Sequence, residues 1–207
     1  MALIHEATLT PSKLELLAAW LPGRPWAGDV TGLRRLGAYR FDDPAGEVGI
    51  ETFLLATGDG RVLHVPLTYR GAELPGAGAH LVGTMEHSVL GCRWVYDGCA
   101  DPVWATELAA AILTGGTEVE EHVDHGDGDL RPRHPSATVR GNGTPGTRVP
   151  AIDAVSGRDD GPVTVVSAGP FELVVARVVG HAITAPHVLV GRWDDAGPAV
   201  LAGLHTV

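Results

Sequence analysis

Histidine and aspartate side chains of a kind that binds divalent metals cluster in the middle of the chain. The cluster comprises His122, His125, His134, Asp124, Asp127 and Asp129. Imidazole nitrogens and carboxylate oxygens are common metal ligands. A metal site also needs rigid neighbours around its ligands, and this stretch is acidic and interrupted by glycine. We therefore expect a solvated segment and no cofactor, with the three histidines as the alternative metal ligands.

Two motifs in the same region imitate phosphate-handling sequences. Residues 125–130, HGDGDL, are similar to the catalytic loop of aminoglycoside-phosphotransferase-like kinases, but Gly128 breaks the expected spacing. Residues 141–146, GNGTPG, have the glycine content of a backbone anion nest, but neither a lysine nor a helix start follows them. We interpret the first motif as a superficial similarity without kinase function, and we predict a flexible turn for the second.

Acid, base and nucleophile candidates are scattered along the chain. None of the serines lies in a GxSxG turn. His64 and His87 are candidate bases if a pocket forms over a sheet, although a lone histidine on a strand usually only makes hydrogen bonds. Glu47 and Glu51 are four residues apart on one face of a predicted strand, without the aromatic cleft of a glycosidase. The sequence therefore predicts a protein that is not an enzyme.

Composition limits the classes of partner. The chain has 207 residues, is 44% hydrophobic and carries a formal net charge of −10. Most of such a surface repels nucleic acid and anionic membranes, so neither is expected as a partner. No basic and apolar leader follows Met1, and no apolar run approaches membrane-spanning length. We expect a cytoplasmic protein in which Cys92 and Cys99 are free thiols.

Two helices are predicted from capping signals. Thr10-Pro11 has the types of an N-cap and a first-turn proline, and the helix that follows ends at Pro22-Gly23. Asp101-Pro102 repeats the device, with apolar residues on one face up to Gly115-Gly116. We expect the second helix to lie across a sheet.

A hairpin is predicted from alternation of period two. Residues 48–55 alternate, 58–60 form a Gly-Asp-Gly turn and 63–69 return. Pro66 has no amide hydrogen, which suggests an edge strand or a bulge. A second pair, about 79–83 and 88–96, is expected to be split by 84–87. Together these strands predict a curved antiparallel sheet.

The second half of the chain changes character. Residues 116–162 are acidic and rich in glycine and proline without sustained periodicity, which predicts a linker or long loop. Residues 163–207 predict a small antiparallel β subdomain that packs against the first part. Its four strands are expected at 163–167, 171–179, 188–193 and 199–204.

Three segments resemble the N-terminal cap domain of the bacterial maltokinase family. They are LELLAAWLPGRPWAG, EVGIETFLLATGDGRVLHVPLTYRGAEL and LGCRWVYDGCADPVWATELAAAIL, within residues 1–115, and RWVYDG at 93–98 is the most specific. Stand-alone actinobacterial proteins of this length look similar, often under the label 1,4-alpha-glucan branching protein. The resemblance implies a curved antiparallel sheet with helices, followed by a subdomain similar to a kinase N-lobe. Arg177 stands where a kinase strand would carry its phosphate-binding lysine, and Lys13 is the sole lysine.

The combined prediction is an α+β protein: a cap-like curved antiparallel sheet with flanking helices, then a small β-rich meander resembling a kinase N-lobe remnant. We expect too little chain after the first module for a second catalytic lobe. The expected function is noncatalytic, as an accessory or regulatory module in carbohydrate metabolism that binds a sugar kinase or glucan-metabolism protein. The alternatives are a sugar- or nucleotide-binding protein and an enzyme of unrecognised chemistry. The expected binding surface comprises Trp20, Arg24, Trp26, Trp94 and Tyr96, whose alternative role is to seal the core.

Overall fold

A computed structural model describes residues 2–5, 7–124, 130–194 and 196–207. It consists mostly of antiparallel sheet, one sheet being curled, with two short helices. The helices are α1 (Lys13–Trp20) and α2 (Pro102–Thr114). The strands are β1 (Ala2–His5), β2 (Leu9–Thr10), β3 (Arg34–Phe41), β4 (Gly49–Ala56), β5 (Val62–Arg70), β6 (Leu81–His87), β7 (Gly91–Asp97), β8 (Glu121–Asp124), β9 (Leu130–Arg133), β10 (Ala137–Gly141), β11 (Val155–Asp160), β12 (Val163–Ala168), β13 (Phe171–Ala176), β14 (His187–Trp193) and β15 (Ala199–Thr206).

The first sheet contains the predicted hairpins. Its strand order is β2-β6-β7-β5-β4-β3, and all its neighbours are antiparallel. The antiparallel pairing of β4 with β5 confirms the hairpin that was predicted from the alternation at 48–55 and 63–69. The second hairpin has a different turn from the prediction: residues 84–87 belong to β6, and the chain turns at 88–90. β3 has no counterpart in the predicted elements and pairs with β4 along its length.

The prediction of an edge or bulge at Pro66 is wrong. β5 lies inside the sheet between β4 and β7, and its register with β4 has no shift. On its other side, the His64 amide donates to the Arg177 carbonyl, and pairing with β7 begins at Leu67. Pro66 therefore lies between the part of β5 that pairs with Arg177 and the part that pairs with β7. Its missing amide hydrogen removes no hydrogen bond from the sheet.

The helix starts show one error and one confirmation. Ser12, not Thr10, caps α1, and it forms a capping box with Glu15 because Ser12 accepts from the Glu15 amide and donates its own amide to the Glu15 carboxylate. Asp101 caps α2 as predicted, with Pro102 in the first turn and Gly115 in the left-handed conformation at the end. Among the described residues, no helix combines the length and apolar character needed to span a bilayer.

The second sheet contradicts the predicted linker and the predicted simple meander. Its order is β10-β14-β15-β13-β12-β11, so it takes β10 and β11 from the segment 116–162 that was predicted as a linker or loop. The four strands expected after residue 163 are present, but β13 pairs with β15 instead of β14, which excludes a simple meander. A small third sheet joins β1, β8 and β9, with β1 parallel to β8. Tertiary pairing overrides the glycine, proline and acidic content of 116–162.

The larger hydrophobic core joins both halves of the chain. α2 packs against β10, β14 and β15, and buries Trp104, Leu108 and Ile112. The same cluster contains side chains of β3 and β4, such as Tyr39 and Ile50, beside others from the second sheet. α2 therefore lies between the two sheets, and the predicted boundaries at residues 115 and 163 do not divide this core. A second cluster packs α1 against the other face of the first sheet.

Candidate functional site

An open pocket of about 590 Å³ lies at one end of the first sheet. This volume suits a small molecule, since ligand pockets in proteins commonly span a few hundred to about 1,000 Å³. The side chains and backbone that line it are Ala7, Leu9, Lys13, Arg40, Phe41, Asp42, Asp43, Gly46, Glu47, Val48, Gly49, Ile50, Tyr69, Met85, His87, Leu90 and Arg93. The lining therefore combines basic, acidic and apolar groups.

A buried ion-pair network lies against this pocket and centres on Glu51. The Glu51 side chain is only 3% exposed, and its Oε2 accepts from Lys13 Nζ at 2.5 Å, Arg40 Nη2 at 3.0 Å and the Tyr69 hydroxyl at 3.1 Å. Arg40 Nε also lies 3.8 Å from Glu121 Oε1. A buried carboxylate is costly unless it is paired and hydrogen-bonded, and here three donors compensate it.

Strand register explains how these side chains meet. Arg40 and Glu51 are directly opposite each other in the pairing of β3 with β4. Such cross-strand neighbours lie on the same face of the sheet, within reach of each other. Lys13 is the first residue of α1, and its Nζ lies 5.1 Å from the ring centroid of Tyr69. The first turn of α1 and three neighbouring strands therefore assemble one charged cluster.

The positive charges of the cluster keep the Glu51 carboxylate ionised. Burial alone would raise the pKa of Glu51, but the charges of Arg40 and Lys13 and the hydrogen bonds that Glu51 accepts lower it to about 2. Burial lowers the pKa of Lys13, the Glu51 charge opposes that shift, and the Arg40 charge adds to it. A carboxyl group that remains ionised at neutral pH is suited to holding cations in place and poorly suited to proton transfer.

Backbone hydrogen bonds order the rim of the pocket. The Asp43 carboxylate accepts from the amides of Ala45, Glu47 and Val48, which fixes the turn before β4. In the turn between β6 and β7, which also lines the pocket, His87 Nδ1 accepts from the amides of Val89 and Leu90. Arg93 Nη2 donates to the Leu90 carbonyl at 2.7 Å. Both turns are therefore held in place before any ligand binds.

His64, the other candidate base, lies outside the pocket lining. It is 1% exposed, accepts from the Tyr39 hydroxyl at 2.9 Å through Nε2 and donates from Nδ1 to the Ala176 carbonyl at 2.8 Å. Burial lowers the pKa of His64 to about 4, and the Arg177 charge adds to that effect. A neutral, fully bonded imidazole in this position connects the two sheets.

Arg177 forms a buried clamp between the two halves of the chain. It donates from Nη2 to Asp97 at 2.5 Å and from Nε to the Thr164 hydroxyl at 2.7 Å, and its guanidinium lies 4.7 Å from the ring centroid of Trp26. Asp97 is part of the RWVYDG motif. A cavity of only about 70 Å³ adjoins this clamp, too small for a sugar or nucleotide.

The predicted aromatic surface separates into two groups. Trp20 and Trp26 are buried with ring centroids 5.9 Å apart, and the Arg24 guanidinium lies 4.9 Å from the Trp20 ring. Trp94, half-buried, and Tyr96, buried, lie on the other face of the first sheet, because Val95 between them packs in the cluster of Trp20 and Trp26. The Tyr96 hydroxyl accepts from the Leu74 amide. This burial favours the sealing role, and the binding role stays a prediction.

The metal and phosphate motifs give different outcomes. His125 and the HGDGD string lie outside the described residues, whereas His122 is half-buried in β8 and His134 is exposed. Within the described parts of the chain, no group of three His, Cys, Asp or Glu side chains is arranged to hold a metal ion. In the glycine-rich stretch, the amides of Gly143 and Thr144 donate to carbonyls at the end of α2, so they do not form an anion nest.

Sequence reasoning missed the basic members of the pocket network. Glu51 was weighed only as half of a carboxylate pair, and Arg40 lies on β3, which was not predicted. One signal was present: Lys13 is the sole lysine of the chain, and the other residues of the helix that it begins are mostly apolar. The pairing of Arg40 with Glu51 depends on register, which the sequence pattern does not specify across an unpredicted strand.

Residues 20–101 match the family model of the maltokinase N-terminal cap domain. The matched segment runs from the end of α1 through β7 to the cap of α2, and it contains Arg40, Glu51 and Tyr69 of the pocket network. The resemblance stated from the sequence is therefore confirmed for residues 20–101. No curated protein matches the chain. The match covers about two fifths of the chain, so it describes the first sheet and not the second.

Proposed function

We propose that this protein is a noncatalytic accessory or regulatory module of carbohydrate metabolism, acting in the cytoplasm, that works by binding a small molecule in the pocket beside Glu51. The pocket carries the proposal: it is open, it is lined largely by the matched segment, and two of its basic groups, Lys13 and Arg40, are held by ion pairs with Glu51. A preformed pocket with a few converging polar groups is typical of ligand-binding sites. The family match supports the context of maltose, trehalose, glucan or amino-sugar metabolism.

The charge arrangement favours binding over catalysis. A general acid or base works best with a pKa near the operating pH. The pKa of Glu51 is about 2, and Arg40 and Lys13 hold its charge. Such a group orients cations and ligands but does not exchange protons at neutral pH. An enzymatic role would need another group of this pocket to titrate near neutrality.

A ligand screen tests the proposal. Thermal unfolding is measured with maltose, trehalose, glucosamine, ATP and divalent metals, because a ligand that binds only the folded state raises the Tm. We expect stabilisation by at least one sugar and shifts of backbone NMR signals around Glu51 and Tyr69. Stabilisation with signal shifts confined to the second sheet would contradict the assignment to this pocket. Turnover of ATP with a sugar by the purified protein would contradict the noncatalytic role.

A second candidate function is docking to a sugar kinase or a glucan-metabolism protein. Val89 and Leu90 are 56% and 46% exposed at the turn between β6 and β7, beside the pocket. Neighbouring exposed apolar side chains can mark a surface where a partner protein binds. A sugar kinase from the same genome is tested by calorimetry against the wild type and Val89→Ser/Leu90→Ser. We expect binding that the double variant weakens, and equal affinities would contradict this surface.

A further inference from the structure

The basic groups of the pocket define the class of ligand. We propose that the pocket binds a sugar that carries one phosphate or carboxylate group, with the anionic group at Lys13 and Arg40. This inference rests on the proposed function, because it names the ligand class of the same pocket. It goes beyond the cap-domain match, which assigns no ligand to any residue.

Two basic side chains of the pocket lining, Lys13 and Arg40, share one buried acid. Lys13 and Arg40 share one carboxylate oxygen, Glu51 Oε2. Arg40 also approaches Glu121, but Arg133 Nε pairs with the other oxygen of Glu121 at 3.1 Å. Within the described residues, Lys13 and Arg40 therefore share Glu51 as their paired acid, because Glu121 is already paired with Arg133, which does not line the pocket. An anionic group of a ligand would offset the positive charge that Lys13 and Arg40 carry beyond that of Glu51.

Lys13 is positioned to donate to such a group. Its side chain keeps 24% of its surface exposed, lines the pocket and donates to Glu51. An ammonium group has three N–H donors, so the pair with Glu51 leaves donors for a ligand. Arg93 adds a third cation to the pocket lining, and its hydrogen bond to the Leu90 carbonyl holds it at the rim. Hydrogen bonds from cations to phosphate or carboxylate are among the strongest that proteins make.

The acidic groups of the pocket lining suit hydroxyl groups and disfavour polyanions. Asp42, Asp43 and Glu47 line the pocket, and carboxylate oxygens accept hydrogen bonds from sugar hydroxyls. The same carboxylates repel a ligand with several negative charges, such as a nucleoside triphosphate. Leu9, which is half-buried, and Leu90, which is exposed, provide apolar surface in the lining for the C–H face of a sugar ring. One anionic group on a polyhydroxylated ring fits all three features.

Calorimetry at low salt tests the ligand class with four probes: glucose 6-phosphate, glucuronate, glucose and inorganic phosphate. We expect glucose 6-phosphate or glucuronate to bind at least tenfold more tightly than glucose and than inorganic phosphate. The Lys13→Met variant should weaken that binding by roughly tenfold to a hundredfold, the range for loss of a charged hydrogen bond. Arg158→Gln is the matched control, since Arg158 is 68% exposed on β11 and its loss changes the net charge equally.

A second variant and a chemical readout keep the test independent of folding. Arg93→Gln leaves the Glu51 network intact and should also weaken the anionic probes. Because Lys13 is the sole lysine, mass spectrometry of acetylation reports directly on its side chain. We expect the bound probe to slow acetylation of Lys13 in the wild type and in Arg158→Gln.

The outcomes separate this inference from the proposed function. Equal affinity for glucose and its phosphate, with protection of Lys13, would overturn the anionic class and leave a neutral-sugar pocket. Equal affinity for inorganic phosphate and glucose 6-phosphate would overturn the sugar class. Absence of protection by all four probes, while maltose or trehalose stabilises the protein, would overturn the inference alone. Absence of any ligand response at this pocket would overturn both proposals.

Discussion

Glu107 on α2 is an acid whose protonation changes near neutral pH. Burial raises the pKa of Glu107 to about 7, and the charges of Asp43 and Asp42 add to the rise. The folded state therefore binds this proton more tightly than the unfolded state does, where a glutamate has a pKa near 4.3. The resulting stabilisation is complete below about pH 4 and is lost as the pH rises through about 7. Glu107 also couples α2 to the acidic rim of the pocket.

The Glu107→Gln variant tests this coupling. Removing the charge should raise the free energy of unfolding at pH 8 by about 1 kcal/mol more than it does at pH 5. This value allows for solvent screening, because the Glu107 side chain is only half-buried. Urea unfolding at both pH values measures it. Glu73→Gln, which removes the same charge at an exposed position, is the control. Equal effects of Glu107→Gln at pH 5 and pH 8 would contradict the raised pKa.

At the scale of elements, the contact between α2 and β10 depends on the absence of side chains. A Cβ on Gly141 would lie 2.0 Å from the Ala111 carbonyl oxygen and 2.7 Å from the Ile112 Cα, which are backbone atoms of α2. The Gly141 amide also donates to the Gly116 carbonyl. The glycine-rich stretch therefore serves close packing of a strand on a helix end, and its predicted flexibility is not its role.

Gly141→Ala should destabilise the protein by about 3 kcal/mol, because overpacking at this site must displace backbone and not only side chains. Chemical denaturation followed by circular dichroism measures the loss. Gly23→Ala is the control, since no atom lies within 4 Å of a Cβ built at Gly23. We expect the control to change stability by less than about 0.5 kcal/mol. A similar small effect at Gly141 would show that α2 and β10 can separate.

At the scale of the whole molecule, the buried clamp and the shared core hold the two large sheets together. Arg177 follows β13, whereas its partner Asp97 ends β7 of the first sheet. Burial alone would lower the pKa of Arg177, and the Asp97 charge raises it above its ordinary value. Both side chains are buried, so either one without the other would be an uncompensated charge in the interior.

Arg177→Met should lower the free energy of unfolding by about 3–5 kcal/mol, because it leaves Asp97 buried without its cation. Adding Asp97→Asn should recover part of this loss, and the double-mutant cycle measures the coupling. Arg158→Met, which breaks an exposed pair with Asp160, should cost less than about 1 kcal/mol. Additive effects of the Arg177 and Asp97 changes would contradict the clamp.

Local chemistry made several elements predictable. Asp101-Pro102 and Gly115 defined both ends of α2, and the Gly-Asp-Gly turn with alternating neighbours defined the hairpin of β4 and β5. Signals that act through neighbouring residues do not depend on the rest of the fold. The turn between β6 and β7 was misplaced because residues 84–87 have no turn chemistry that competes with strand pairing.

The sequence by itself determined the resemblance of residues 20–101 to the maltokinase cap domain, both ends of α2 and the four strands after residue 163, since capping, turns and alternation are local properties. Only the tertiary structure decided the order of the second sheet, the strands within 116–162 and the meeting of Lys13, Arg40 and Glu51 around a pocket. These features depend on pairing between residues far apart in the chain. Such pairing is set by register and burial, which become defined only when the sheets pack together.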